Sequence, residues 1–326
     1  MANKCNKIAI LTSGGDSMGM NACVRAAVRY SLSKNYEIYG VKHGYVGLIN
    51  DEIEKLDYMS VTNIVHTGGT ILKTGRTEEF KKPEVIKKAA ENLLDKGIEN
   101  LIVIGGDGSF RGMQDMANLT GLRCIGIPGT IDNDLGYTDY TIGFDTAVNT
   151  VLDAILKLRD TIRANERIMV IEVMGRNCGD IALYSALAGG AEFLVVPEIP
   201  YDLDAIAEGV KYGFDVKGKS SAIVILAEGC KECKEELMRK LRDATGHTVS
   251  QVVLSYLQRG GIPSMSDRVL ACRLAIRAVD LLGEGQRSRV VGVRGGKVID
   301  LSIDEALAMP KQFNTQLYDI AKVISK

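Results

Sequence analysis

No apolar run in this 326-residue sequence approaches the length of a membrane span. Charge of one sign is lacking too. Forty Lys and Arg stand against 41 Asp and Glu, a net charge of −1. No global basic field therefore points to nucleic acid or to an anionic membrane, and an anionic ligand must be held by local arginines and lysines. The N-terminal residues lack the long apolar stretch and small-residue cleavage site of a signal peptide, so a cytoplasmic location is expected. No Pro/Ser-rich linker, low-complexity tract or short-period repeat interrupts the chain. Cysteines are few and odd in number: Cys5, Cys23, Cys124, Cys178, Cys230, Cys233 and Cys272. Such scatter excludes a disulfide framework and fits free thiols in a reducing compartment. Cys230-Lys-Glu-Cys233 is a lone CxxC without the second ligand pair that zinc needs. It is expected to be two free thiols near a helix start.

What the sequence does contain is a soluble core: 46% hydrophobic and 25% charged residues, enough for one large or two ordinary domains. Strand patterns fall at 7–11, 37–41, 100–104, 123–127, 167–173, 193–196, 221–226 and 289–293. Most are nearly continuous apolar runs, as in strands buried on both faces. Amphipathic stretches lie between them. One, 83–96, has Pro83 at its start and Gly97 just past its end. This rhythm predicts an α/β fold: two similar domains with mostly parallel sheets flanked by helices.

Ligands of such sheets bind at the carboxyl ends of strands, and the loops there are unusual. They read Thr12-Ser13-Gly14-Gly15-Asp16, Gly105-Gly106-Asp107-Gly108-Ser109, Pro128 to Asp134, and Met174-Gly175-Arg176. Glu228-Gly229 follows later, with Gln258-Arg259-Gly260-Gly261 inside a helical stretch. In "IVIGGDGSFRG" glycines let backbone N–H groups approach an anion, and the next helix offers its positive end. Asp107 beside phosphate suggests a bridging Mg²⁺. A tight structural turn is the alternative. "ILTSGGDSMGMNACVRAAVRY" repeats the design without a Walker lysine. Arg25 and Arg29 lie four apart on its helix, either as a solvated face or as an anion grip. "GIPGTIDND" puts Asp132 and Asp134 on the loop leaving a buried strand. Metal ligand, proton acceptor and Asx turn all fit that spacing. If nucleotide phosphate lies over the neighbouring strand ends, Asp132 suits the orientation and deprotonation of an acceptor hydroxyl. Arg76 and Arg176 would then stabilise transferring charge.

Taken in order, "SGGD", "GYVGL", "GGT", "GGDGS", "PGTIDND", "TDYTIGFDTA", "RIMVIEVMGRNCGD", "AGGAEFLVVPE" and "LQRGG" resemble the phosphofructokinase family from Lys7 to about Ala308. The resemblance implies a homotetramer of two-domain subunits that transfers the γ-phosphate of MgATP to the C1 hydroxyl of fructose 6-phosphate. Residues 1–142 with 257–307 would bind ATP, and 143–256 with 308–326 the sugar phosphate. Asp132 would be the general base, with Thr130, Ile131 and Asp134 as active-site companions. Asp107 would hold Mg²⁺. Gly15, Tyr45, Arg76, Thr77, Gly106, Asp107, Gly108 and Ser109 would contact ATP. Arg76 and Arg176 would stabilise the transferring group. Met174, Gly175, Arg176, Glu228 and Arg259 would contact the sugar phosphate, and Arg167 would reach its 6-phosphate from a neighbouring subunit. Gly108 and Gly129 stand where pyrophosphate-dependent relatives usually carry Asp and Lys, which favours ATP as donor.

Several positions depart from the family pattern. Ser250 stands where an arginine grips the substrate 6-phosphate, and Tyr256 where a histidine makes a similar contact. Loss of one charge-assisted contact costs about 1.5–3 kcal/mol, roughly tenfold or more in affinity. Lys73, Thr77 and Met18 replace a customary Gly, aromatic and Pro without removing a catalytic group. The resemblance also implies an anionic effector, ADP or phosphoenolpyruvate, at Arg25, Arg29, Arg159, Glu192, Lys217 and Lys219. Tyr58 and Asn63 replace an arginine and an acid there. A pyrophosphate-dependent or other sugar-phosphate kinase, and a weakly catalytic regulatory paralogue, are the competing readings.

Overall fold

Eleven strands and the helices between them form a computed structural model that describes residues 7–325. In chain order the strands are β1 Lys7–Thr12, β2 Glu37–Val41, β3 Ile53–Leu56, β4 Asn100–Gly105, β5 Arg123–Pro128 and β6 Ile168–Val173. They continue as β7 Phe193–Val195, β8 Ala222–Ala227, β9 Val249–Val253, β10 Arg289–Arg294 and β11 Lys297–Ser302. The chain divides into two units: 1–131 with 135–146 and 259–311, and 132–134 with 147–258 and 312–326. Cys5 lies outside the described residues, and the other six cysteines are free thiols.

The first unit holds a seven-stranded sheet ordered β11-β10-β5-β4-β1-β2-β3. Its centre is parallel, and β3 and β11 close the edges antiparallel. The strand order reverses between β1 and β4, because β2 lies on one side of β1 and β4 and β5 on the other. Such a switch point opens a crevice at the carboxyl ends of the strands. Alternation of side chains along each central strand explains why the apolar runs are continuous. Ile8, Ile10, Ile102 and Ile104 pack on the helices Met20–Ser33 and Met265–Gly283. Ala9, Leu11, Leu101 and Val103 pack on the opposite side, against Pro83–Leu94 and Asp107–Thr120.

The second unit holds a four-stranded parallel sheet ordered β7-β8-β6-β9. Its core joins Ile168, Val170, Val224 and Leu226 to Ile206, Val210, Leu237 and Leu241. Three strands had no matching expectation in the sequence: β3, β9 and β11. All are edges, and β3 (IEKL) and β9 (VSQVV) mix polar residues into a half-exposed pattern, so the apolar signal is weak. A second correction concerns the segment before Gly260. It is a short 3-10 helix, Ser255–Arg259, too tight and too brief to be the α-helical stretch expected. Among the described residues no helix is long and apolar enough to cross a membrane.

One buried carboxylate braces the first unit. Asp267 is 1% exposed and accepts hydrogen bonds from Gly143 N (2.8 Å), Thr146 N (2.9 Å) and the Thr146 hydroxyl. Burial pushes its pKa up to about 6, and those three hydrogen bonds only partly oppose the shift. Between the unfolded and folded pKa values the native state binds more protons. This group's contribution to stability is therefore present at low pH and lost as pH rises through about 6. The ionised form costs on the order of 3 kcal/mol at neutral pH. Thermal melts of wild type and Asp267→Asn should show a stability difference that moves against the wild type between about pH 4.5 and about pH 7. A difference independent of pH would show that Asp267 does not titrate there.

Candidate active site

The loops after β1, β4 and β5 are tied into register by backbone bonds. Ser13 N donates to Ile104 O at 2.9 Å, and Gly129 N to Gly105 O at 2.9 Å. Two glycines close around the Ser109 hydroxyl. A side chain at Gly105 would put its Cβ 2.6 Å from Ser109 Oγ, and one at Gly14 would put it 3.4 Å away. Gly106, at the N-cap of helix Asp107–Thr120, and Gly108 face the opposite situation. A Cβ at Gly106 meets only Thr130, at 3.7 Å, and one at Gly108 meets nothing within 4 Å. The loop thus leaves open room beside the positive end of a helix, as a phosphate cradle requires.

Gly15 lies directly under a side chain instead. A Cβ there would lie 2.6 Å from Arg259 Nη1, and that guanidinium also donates to Asp16 O at 3.0 Å. Arg259 thus lies across the first glycine loop. Tyr45 is buried: its ring stacks on Phe80 at 4.1 Å and its hydroxyl donates to Ser109 O at 2.6 Å. It supports the start of the helix from beneath, and burial pushes its phenol pKa well up. Arg76 is exposed on the loop before Thr77, whose hydroxyl accepts from Glu79 N at 3.1 Å.

Asp107 is half-exposed and paired with Arg111 one turn on, Nε to Oδ2 at 2.9 Å. That i, i+4 spacing is legible in the sequence, yet Arg111 was not foreseen as its partner. Among the described residues no group of three His, Cys, Asp or Glu could hold a metal. A single accessible carboxylate beside an open phosphate cradle nevertheless fits Mg²⁺. That ion usually keeps several waters and takes one or two carboxylates together with substrate phosphates. The exposed pair with Arg111 is weak enough to yield.

In the second unit, Asp132 is 1% exposed and its Oδ2 lies 3.2 Å from Arg176 Nε. The guanidinium compensates a charge whose burial would otherwise be costly. Arg176 is itself held at the backbone, where its N–H donates to Glu228 Oε1 at 3.0 Å. Gly175 has φ 138°, and a Cβ there would sit 2.4 Å from Cys178 O. Arg176 and Asn133 both adopt left-handed backbone, φ 53° and 51°. For an arginine this is uncommon, and such strain concentrates at functional sites. Asn133 donates to the buried Asp180 carboxylate at 2.8 Å, and Gln258 accepts from Met174 N at 3.2 Å. Asn133 and Gln258 lie in segments noted from sequence but were given no role there, because nothing local marks their partners. Thr130, at the end of the first unit's loop, has its carbonyl held by the Thr141 hydroxyl at 2.6 Å. Ile131 is buried and Asp134 half-buried.

Other expected residues lie apart from Arg176 in the same unit. Arg167 is exposed just before β6, whereas Met174-Gly175-Arg176 follows that strand. The six-residue β6 separates them by about 20 Å. Ser250 pairs with Met169 in the β6–β9 register, so it too stands near the amino end, with Arg167. Tyr256 is 78% exposed in the 3-10 helix Ser255–Arg259.

The expected effector residues are engaged as well. In the first unit Arg29 lies over the Tyr58 ring at 5.9 Å, and Arg25 sits one turn earlier on the same helix. In the second, Arg159 donates to the carbonyls of Gly189 (2.8 Å) and Gly190. Lys219 lies 3.5 Å from Glu192, and Lys217 lies over Tyr212 at 5.9 Å.

Parallel sheets with glycine-rich loops at a switch point, and a buried aspartate paired to an arginine, define an α/β class whose strand-end loops suit an anionic ligand. A family model for phosphofructokinase matches residues 7–282, and the chain belongs to that family. ATP-dependent 6-phosphofructokinases of Clostridium botulinum and Clostridium acetobutylicum are each 53% identical to it over 319 residues, covering 98% of this chain and 99% of theirs. The phosphofructokinase of Saccharomyces cerevisiae superposes with a TM-score of 0.90 at 29% identity, over 97% of this chain and 50% of its own. This chain thus spans half the length of the yeast chain. A pyrophosphate-dependent phosphofructokinase from Marinobacter aquaeolei, at 22% identity, shares the fold with a TM-score of 0.84.

Proposed function

We propose that the protein transfers the γ-phosphate of ATP to the C1 hydroxyl of fructose 6-phosphate. The observation that carries this reading is the buried Asp132 carboxylate held 3.2 Å from the Arg176 guanidinium. In this reading Asp132 orients the acceptor hydroxyl and takes its proton, while Arg176 and Arg76 stabilise charge on the transferring group. Gly15, Gly106, Gly108 and Ser109 belong to loops whose N–H groups receive the phosphates. Tyr45 acts beneath them by holding Ser109. Asp107 would hold Mg²⁺, which when bound neutralises charge on the phosphate oxygens. Residues 1–142 with 257–307 are read as the ATP-binding domain, and 143–256 with 308–326 as the sugar-phosphate domain.

ATP as donor is supported by the 53% identical relatives and by two glycines. The open space at Gly108 leaves room for a nucleotide. At Gly129 a Cβ would lie 2.8 Å from Ile104 Cγ2 and 3.2 Å from Met20 Cε, so a lysine there would displace core side chains. The test is turnover of fructose 6-phosphate with MgATP and then with Mg-pyrophosphate. Activity with ATP, abolished by excess chelator, is expected. Activity with pyrophosphate alone would reverse the donor assignment, and silence with both at saturating sugar would leave a binding paralogue.

The positions of Arg167 and Ser250 support a shared site in a homotetramer, because neither reaches the Arg176 loop within one chain. Ser250→Arg should then lower the sugar KM about tenfold. An unchanged KM would show that another group already holds the 6-phosphate. For an anionic effector, the cation–π contact of Arg29 with Tyr58 supports an altered response rather than the full family grip. A cytoplasmic setting suits the free thiols.

A further inference from the structure

We propose that Cys230 and Cys233 are a dithiol that closes to an intramolecular disulfide by exchange with a low-molecular-weight disulfide. Residues Glu228–Cys233 form one continuous 3-10 helix. In that geometry side chains three apart eclipse one another, and three residues rise about 6 Å. A disulfide accepts Cα separations of about 4.4–6.8 Å. The turn therefore stacks the two residues with their Cα atoms within bridging range, and closure must tighten the turn to bring the Cβ atoms to the about 3.5–4.5 Å that a disulfide spans.

The two sulfurs differ in access. Cys230 is 4% exposed and packed in the second unit's core, whereas Cys233 is half-buried at its edge. Burial pushes the Cys230 thiol up to about 11, and the adjacent Cys233 and then Glu198 add to the shift. Burial raises Cys233 as well. Glu236 adds a little, and a hydrogen bond with the Tyr201 hydroxyl opposes it. Both are thus resting thiols, and the exchange quickens as pH rises towards their pKa values.

The step balances as follows. The Cys233 thiolate attacks one sulfur of the reagent R–S–S–R, forming a mixed disulfide and releasing RS⁻. The Cys230 thiolate then attacks the Cys233 sulfur and releases the second RS⁻. The protein pair loses two electrons and two protons, and the reagent leaves as two RSH.

The helix that would be locked also carries Glu228, which holds Arg176 N at 3.0 Å. A Cβ at Gly229 would lie 2.5 Å from Arg176 O, so the turn touches the Arg176 loop at the backbone. Resting on the kinase reading, closure of the disulfide should raise the sugar KM several-fold, reversibly with dithiothreitol.

The reduced full-length protein is incubated with excess oxidised glutathione at mildly alkaline pH, quenched with acid, alkylated and mapped by mass spectrometry. The expected product has lost two hydrogens, carries no glutathione and is linked between Cys230 and Cys233. Cys230→Ser should instead retain one glutathione on Cys233. A stable adduct on wild-type Cys233, or alkylation of both thiols after oxidation, overturns the proposal. Unchanged kinetics in the fully linked protein overturns the coupling to Arg176. Failure of the reduced protein to turn over sugar phosphate counts against the kinase reading alone, because the linkage is read by mass.

Discussion

Asp132→Ser is expected to lower kcat by about 10²–10⁴-fold, the range general-base removal produces. The sugar KM should change much less. The expectation rests on a carboxylate that is 1% exposed and faces a guanidinium at 3.2 Å. Serine keeps a small polar side chain in that space while removing the group able to take a full proton. A fall in kcat with a nearly constant KM marks an interaction made in the transition state. If kcat survives, the base lies elsewhere and Asp132 serves the loop's turn.

Arg176→Ala should lower kcat by about 10²-fold or more, as loss of a donor to developing charge does. It also removes a charged partner from a buried carboxylate, so the melting temperature should fall with it. Arg176→Lys separates the two effects. It keeps the charge but not the planar fork, so stability should recover more fully than kcat. Full recovery of kcat in the lysine variant would mean that charge alone is needed there. Steady-state kinetics and melts on the three proteins read both quantities.

Much of this protein is legible in its sequence. Runs such as IAIL and LIVI are apolar at every position because both faces of their strands carry helices. Glycine pairs followed by aspartate mark sharp exits from those strands, and such local chemistry shows in any short window. Edges were less legible. β3 and β9 mix charged or polar residues with apolar ones, since only part of each strand is covered.

Arg259 and Tyr45 show where reading by position stops. Each was expected to face a ligand. What position alone did not show is that Arg259 also lies against the first glycine loop, on Asp16 243 residues away in sequence, and that Tyr45 also supports Ser109, 64 residues on. Arg167, expected to reach the 6-phosphate from a neighbouring subunit, and Ser250 stand at the other end of β6 from Arg176. Which strand ends a side chain occupies depends on register and strand order, and neither is written in the residue itself.

The sequence by itself determined the strand–loop–helix order, the burial of the central strands and the family, because these follow from periodicity and loop chemistry. Only the tertiary structure decided that Arg176 is Asp132's partner, that Glu228 steadies Arg176, and that Cys230 and Cys233 share one 3-10 turn. Those pairings depend on how distant segments stack and how tightly a turn winds, which packing sets and local sequence does not.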